Sequence, residues 1–247
     1  MRIIYLDGQY SKVNPQIIDA YTPGVFQAKG AFETMLGLDG VVLDASLHLG
    51  RLRAGLKVLD IQAPVIPATV LKEVLRANQL SCARVRLMVW RAPKKIHVMA
   101  TALPYKISNR KIFHVCLIKT NRDANDYFSN VKSLDYAVFA KAYSRAQSQG
   151  FDEALLINRR NHIFEASRSN IFWIKDRVLY TPPLTSGCLN GITRQQVIKQ
   201  AMAVKTSVKE KDLNPVILEK ADAAFLTNSL IGIKPIEVAS IRNLSLD

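Results

Sequence analysis

The run Phe164-Glu-Ala-Ser-Arg-Ser-Asn-Ile-Phe172, then Tyr180-Thr-Pro-Pro-Leu184 and Asn190-Gly-Ile-Thr-Arg194, constrains this chain more than any other feature. It reads as strand, turn, strand, loop and helix start. Apolar and β-branched residues on both sides of Ser-Arg-Ser fit two strands joined by a tight turn. The reading places a buried carboxylate, Glu165, about one loop ahead of a helix N-terminus at Ile192 and Thr193. Free N–H groups and a Thr hydroxyl at such an end form an anion site suited to phosphate. The pair would hold a molecule that is basic at one end and phosphorylated at the other.

The rest of the chain alternates short strands with helices. Ile3 to Leu6 with Asp7-Gly8 predicts a hairpin, and Phe32 to Leu38 with Asp39-Gly40 and Val41 to Leu43 predicts a second. Asp44 or Ser46 is placed to cap a helix from about Leu47 to Leu59, whose leucines 49, 52, 56 and 59 repeat at helical spacing. A helix over 68–78 and strands over 83–90 and 96–102 complete an α+β first half. The polar, Pro-containing stretch from Leu103 to Arg110 marks the change of domain. The division expected is 1–105, a linker at 106–111, and 112–247. In the second part a strand is expected over 112–118, a polar loop over 121–130, a helix over 135–149 ending at Gly150, a strand over 153–158 and a helix over 192–204.

Composition narrows the function classes. The chain has 247 residues and is 49% hydrophobic, enough for a sizeable core. No apolar run approaches the roughly 20 residues of a membrane-spanning helix, and the N-terminus reads as a strand entering a turn. The cysteines, 82, 116 and 188, form no CxxC pair, so neither a metal site nor a disulfide framework is expected, and a reducing cytoplasm is the default. The net charge of +14 comes from scattered Lys and Arg with short pairs at 94–95, 110–111 and 159–160. Without a polybasic tail or an aromatic-glycine RNA motif this reads as a generally basic soluble protein rather than a nucleic-acid binder, and the positive field would also steer a small polyanionic substrate.

Pyridoxal 5'-phosphate (PLP) fits the carboxylate and phosphate pair, because its ring nitrogen needs an acidic partner. Its chemistry also needs a lysine that bonds the cofactor and then moves protons at the substrate α-carbon. Lys132 stands out, between apolar Val131 and Leu134 just ahead of the helix expected over 135–149.

Six segments in order then resemble the aminotransferase class IV family, the fold-type IV PLP enzymes: Gly30-Ala-Phe-Glu-Thr34, His48-Leu-Gly-Arg-Leu52, Val131-Lys-Ser-Leu-Asp-Tyr136, Asp152-Glu-Ala-Leu-Leu156, the Glu165 block, and Thr227-Asn-Ser-Leu-Ile-Gly-Ile-Lys-Pro-Ile236. The resemblance implies a two-domain, D-amino acid aminotransferase-like fold, with a small N-terminal α/β domain and a larger C-terminal β-barrel-like domain. It also implies a homodimer with the site between the domains. It makes Lys132 the cofactor lysine, Glu165 the partner of the ring nitrogen and Arg51 a phosphate ligand. Ile192, Thr193, Thr227 and Asn228 are further phosphate contacts, Tyr136 approaches the cofactor's phenolic oxygen, and Thr34 is a substrate-side hydroxyl. His48 reads as a capping or structural residue.

Among the family's reactions, Lys-Ser-Leu-Asp-Tyr and Thr-Asn-Ser-Leu-Ile-Gly-Ile-Lys-Pro-Ile are most similar to 4-amino-4-deoxychorismate lyase, which forms 4-aminobenzoate and pyruvate for folate synthesis. The short chain fits the same enzyme. An aminotransferase of branched-chain or D-amino acids is the alternative, and a basic non-catalytic binding protein a distant one. Two departures bear on the choice. Asp135 stands where the pattern has Asn, and Gln27-Ala-Lys-Gly30 replaces a Gly-Asp-Gly-like turn.

Overall fold

The structure, a computed structural model, describes residues 2–12, 29–93, 95–122, 129–237 and 242–246. Gln27, Ala28, Lys94 and most of the polar loop over 121–130 lie outside the described residues. The chain forms two units, Met1–Ile107 with Val131–Asp135, and Ser108–Asn130 with Tyr136–Asp247.

The first unit is a six-stranded antiparallel sheet covered by two helices. Its strands are β1 (Ile3–Leu6), β2 (Gln9–Lys12), β3 (Gly30–Leu38), β4 (Val41–Val42), β5 (Cys82–Arg91) and β6 (Ile96–Pro104), in the order β2-β1-β6-β5-β3-β4. Both expected hairpins form, with Asp7 and Gly8 and with Asp39 and Gly40 at positive φ, as turns matching the strand twist require. Helix α1 (Ala45–Val58) buries Leu49, Leu52 and Leu56, and α2 (Ala68–Ala77) buries Val70, Leu71, Val74 and Leu75. These leucines and valines meet Met35, Val85, Leu87 and Ala100 from one face of the sheet. Asp44 occupies the N-cap of α1 but makes no side-chain cap bond, because it sits in the left-handed region. The stretch read as linker begins too early at Leu103, since β6 pairs Leu103 with Arg84 and Pro104 with Ala83.

The sequence division at 112 also needs correction. Val131–Asp135 belongs to the first unit. Phe32 N donates to Lys132 O at 2.9 Å and Leu134 N to Gly30 O at 2.9 Å, so the segment lies along the start of β3. A Cβ on Gly30 would stand 2.4 Å from Val89 O and 2.7 Å from Leu134 Cδ1. Glycine at this position is therefore what lets the lysine segment approach. Gly30→Ala is expected to cost about 1–3 kcal/mol and to displace Leu134 and with it Lys132. Thermal unfolding would check it; a variant that melts with the wild type would refute it. The same seating explains why the following helix starts at Ala137 rather than at 135.

The second unit holds two sheets. One has β7 (Val115–Lys119), β8 (Glu153–Ile157), β9 (Ile163–Ala166) and β15 (Arg242–Leu244), in the order β15-β7-β8-β9. The other has β10 (Asn170–Lys175), β11 (Val178–Thr181), β12 (Val208–Glu210), β13 (Ala223–Asn228) and β14 (Gly232–Ile236), in the order β12-β11-β10-β13-β14. Val115, Leu117, Leu155 and Ile157 from the first sheet pack with Ile171, Trp173, Leu226 and Ile236 from the second. Helix α3 (Ala137–Ser148) covers the other face of β7 and β8 with Ala142 and Ala146 against Cys116, Ile118 and Leu156. Both faces of β8 are thus covered, as its apolar run Ala154–Ile157 requires, and all five of its residues are buried, the leading Glu153 included. Helix α4 (Ile192–Ala203) packs on β13, and α5 (Pro215–Glu219) begins at a capping Asn214. The strand expected from 112 starts at Val115, with Phe113 making only an isolated bridge to Ile236.

Candidate functional site

Two groups of residues carry the expected chemistry, one in each unit. In the second unit, β9 delivers Glu165 and β10 delivers Asn170, five residues apart across the Ser167–Ser169 turn. The Glu165 carboxylate accepts from Leu189 N at 3.1 Å, while Asn170 Nδ2 donates to Leu189 O at 2.8 Å. Leu189 is thereby held on both sides, which fixes the start of α4 relative to the carboxylate. A Cβ on Gly191 would stand 2.1 Å from Asn170 Oδ1, so only glycine fits between them.

No side chain caps α4 at its N-cap, Gly191. Its first turn, with Ile192 buried and Thr193 half-buried, keeps N–H groups and positive dipole for an anion. Thr227 pairs with Asn170 across β10 and β13, and its hydroxyl is buried at 1% exposure with no hydrogen-bond partner among the described residues. A buried hydroxyl left unmatched next to an uncapped helix is what a bound phosphate would satisfy. Asn228 is different. Its amide nitrogen donates to Arg168 O at 3.1 Å and Ser169 Oγ at 3.0 Å, and its oxygen accepts from Leu230 N at 2.8 Å and Ile231 N at 2.9 Å. That exhausts the ordinary capacity of the side chain, which braces the turn instead of offering a donor to phosphate. Tyr136 donates its hydroxyl to Ser167 O at 2.7 Å and stacks on Phe139. Cys188 is buried, and burial, then the Glu165 charge, pushes its thiol up to about 12, so it stays an inert thiol.

In the first unit, Lys132 Nζ lies 4.5 Å from the centre of the Phe32 ring. Arg86 places its guanidinium 5.3 Å from the same ring centre. Arg86 is paired with Thr34 on β3 and with Thr101 on β6, so these three residues form one polar rung across the sheet, next to Phe32. Thr34 and Phe32 are two apart on β3 and share its face.

Arg51 is engaged more deeply than its sequence position suggests. Its Nε donates to Glu33 Oε1 at 2.8 Å and its Nη2 to Glu33 Oε2 at 2.6 Å. His48 Nδ1 lies 2.7 Å from the same carboxylate, and both Glu33 and His48 are buried. Burial raises the Glu33 pKa, but hydrogen bonds and charge from Arg51 and His48 outweigh it and hold the carboxyl at about 2. The His48–Glu33–Arg51 set was missed in sequence, although His48 and Arg51, three apart on one helix face, signal that an acid must stand opposite. Arg86 carried no local signal. Of the two departures from the family pattern, Asp135 and Lys29 are both exposed.

The second-unit residues fit PLP, with a carboxylate for the ring nitrogen and an uncapped helix plus the Thr227 hydroxyl for phosphate. Among the described residues no group of His, Cys, Asp and Glu could hold a metal, and no helix is long and apolar enough to cross a membrane. Comparison with known proteins agrees with this chemistry. A family model described as amino-transferase class IV matches residues 30–239. A Methanocaldococcus jannaschii protein provisionally named branched-chain-amino-acid aminotransferase is 31% identical over 94% of this chain and 86% of its own. The aminodeoxychorismate lyase of Bacillus subtilis is 26% identical over 94% and 85%. A crystal structure from Legionella pneumophila, provisionally titled 4-amino-4-deoxychorismate lyase, superposes with a TM-score of 0.78 at 28% identity, covering 88% of this chain and 84% of that one. With the family match spanning most of its length, the chain belongs to the class IV aminotransferases and is an enzyme that uses pyridoxal 5'-phosphate.

Proposed function

We propose that the protein is a lyase that converts 4-amino-4-deoxychorismate to 4-aminobenzoate and pyruvate. The observation that carries this is the Thr34–Arg86–Thr101 rung beside Phe32 and Lys132. Aminodeoxychorismate brings two carboxylates, which a guanidinium flanked by hydroxyls can bind. A branched aliphatic side chain would instead call for an apolar lining at that face. The net charge of +14 raises the local concentration of such a dianion.

When bound, PLP supplies an electron sink for the charge that develops at the substrate's amine-bearing carbon. Lys132 anchors the cofactor and, once released, its amine takes the proton from that carbon. Glu165 keeps the ring nitrogen protonated, so the sink stays strong. Ile192 and Thr193 at the head of α4, the Thr227 hydroxyl and the Arg51 guanidinium hold the phosphate, with Glu33 fixing one edge of Arg51. Asn228 contributes through its backbone and through the turn that it braces. Tyr136 would approach the phenolic oxygen, and Arg86 and Thr34 would orient the substrate carboxylates. We further propose a cytoplasmic homodimer that supplies a folate precursor.

Names among the relatives favour the alternative, a branched-chain aminotransferase, about equally. The test is to supply aminodeoxychorismate and follow both products. Pyruvate and 4-aminobenzoate released one for one are the expected result, with Arg86→Ala raising KM at least about tenfold, the loss of a charged contact. Amino transfer from leucine or D-alanine to 2-oxoglutarate, without pyruvate release from aminodeoxychorismate, would replace the lyase by an aminotransferase. Neither reaction, in a protein that binds no cofactor, would favour a non-catalytic binding role.

A further inference from the structure

Glu153 stands outside the roles assigned so far, yet the turn that joins Glu165 to Asn170 converges on it. It opens β8 and is buried at 1% exposure. The β8 and β9 pairing sets Leu155 opposite Ala166, and Ser167 N then donates to Ala154 O at 2.8 Å, which brings Arg168 opposite Glu153. Ser167 Oγ donates to Glu153 Oε1, Arg168 Nε lies 3.7 Å from Glu153 Oε2, and Ser169 also hydrogen-bonds the carboxyl. All three residues of the turn thus face one buried group. The Arg168 guanidinium carbon also lies over the Tyr143 ring, 3.2 Å from its centre. Tyr136 holds Ser167 O, and Asn228 holds Arg168 O and Ser169 Oγ.

A turn gripped at every residue is a rigid support. The strands that leave it carry Glu165 on one side and Asn170 on the other, and these two hold Leu189 and so set the start of α4. A core position filled by an apolar residue would pack β8 equally well and avoid the cost of a buried carboxyl. Burial indeed pushes the Glu153 carboxyl up, against the opposing pull of Arg168 and the two serines. We infer that Glu153 is a positioning residue for the cofactor: through the Ser167–Ser169 turn it sets the distance between the Glu165 carboxylate and the phosphate-binding head of α4. The inference rests on the assignment of Glu165 and α4 to PLP made above.

The experiment measures the PLP dissociation constant of the apo chain, the absorption of the bound cofactor and the thermal midpoint of the apo form. Glu153→Gln, Glu153→Ala, Ser167→Ala and Glu165→Gln are compared with wild type. Glu153→Ala is expected to weaken PLP at least about tenfold. Gln, which keeps an acceptor for Ser167 and for Ala154 N, the latter donating to Glu153 Oε1 at 3.1 Å in the wild type, is expected to stay within about threefold. Ser167→Ala removes one contact only and is expected to weaken PLP about threefold to tenfold with the apo midpoint nearly unchanged, so the idea stays testable even if Glu153→Ala does not fold. A purely structural Glu153 would lower the midpoint in the Ala variant while every foldable Glu153 and Ser167 variant binds PLP like wild type, and that result overturns the inference. If Glu165→Gln too leaves affinity and absorption unchanged, the site assignment itself fails and the inference falls with it. If Glu165→Gln alone is impaired, the assignment stands and only the role of Glu153 is lost.

Discussion

Replacing Lys132 by alanine is expected to reduce turnover at least about 1,000-fold, since in the proposed assignment it removes both the covalent anchor and the proton-transferring amine. The cofactor should still bind, because Glu165, the head of α4 and Thr227 do not depend on that amine. What should vanish is the covalent link. Borohydride treatment of the wild-type holoenzyme should leave the cofactor's mass on the chain, and the same treatment of the variant should not. The geometry gives the prediction its specificity. Lys132 is held by the main-chain bond from Phe32 N to its own carbonyl and by the Phe32 ring against its amine. Other lysines, such as Lys141 and Lys209, should be replaceable with less than about a twofold effect, in keeping with surface positions. A Lys132→Ala enzyme that still fixes cofactor on reduction would mean that another lysine does this work.

The second large effect should come from Glu33. Glu33→Ala leaves the buried His48 and the half-buried Arg51 without their shared carboxylate, and breaking one partner from such a set costs about 3–5 kcal/mol. For a chain of this size that corresponds to a fall of roughly 10 °C in the melting midpoint. The pH dependence is signed. The folded-state pKa of Glu33 is held at about 2, below its ordinary 4.5, so its contribution, on the order of 3 kcal/mol, is fully present above pH 4.5. It is lost as pH falls from there toward 2. The stability difference between wild type and Glu33→Ala should therefore be flat from neutral pH down to about 5 and shrink below about 4.5. A variant within 2 °C of wild type, as judged from the expected scale, or a difference that does not change in acid, would show that the three side chains do not act as a unit. Cofactor affinity should fall with stability, because Glu33 also holds one edge of the proposed phosphate ligand Arg51.

Both experiments probe features that stand differently toward the sequence. The hairpins at Asp7-Gly8 and Asp39-Gly40, the leucine stripe of α1, helix α2 and the β9-to-α4 succession were legible because each is a local matter of turn chemistry or periodicity. Glu165 was legible for the same reason, as part of a short strand–turn–strand block. The Glu33 trio was half legible. His48 and Arg51 share a helix face, but nothing local says that β3 presents its acid to them. For Asn228 the motif suggests a phosphate contact without saying through which atoms, and the tertiary structure shows that its side chain spends four hydrogen bonds inside the protein.

The sequence by itself determined the α+β class, the family resemblance and the residue types for a phosphorylated, basic cofactor, because those depend on neighbours within a few positions. Only the tertiary structure decided where Lys132 sits. It places the lysine on the start of β3, about a hundred residues earlier, through a main-chain rung that no periodicity encodes and that Gly30 alone is small enough to permit. It likewise decided that Arg86 shares a ring with Lys132 and that Glu153 lies beneath the turn after Glu165. These are matters of strand order and register, and they are settled when distant segments compete for the same backbone hydrogen bonds and the same buried volume.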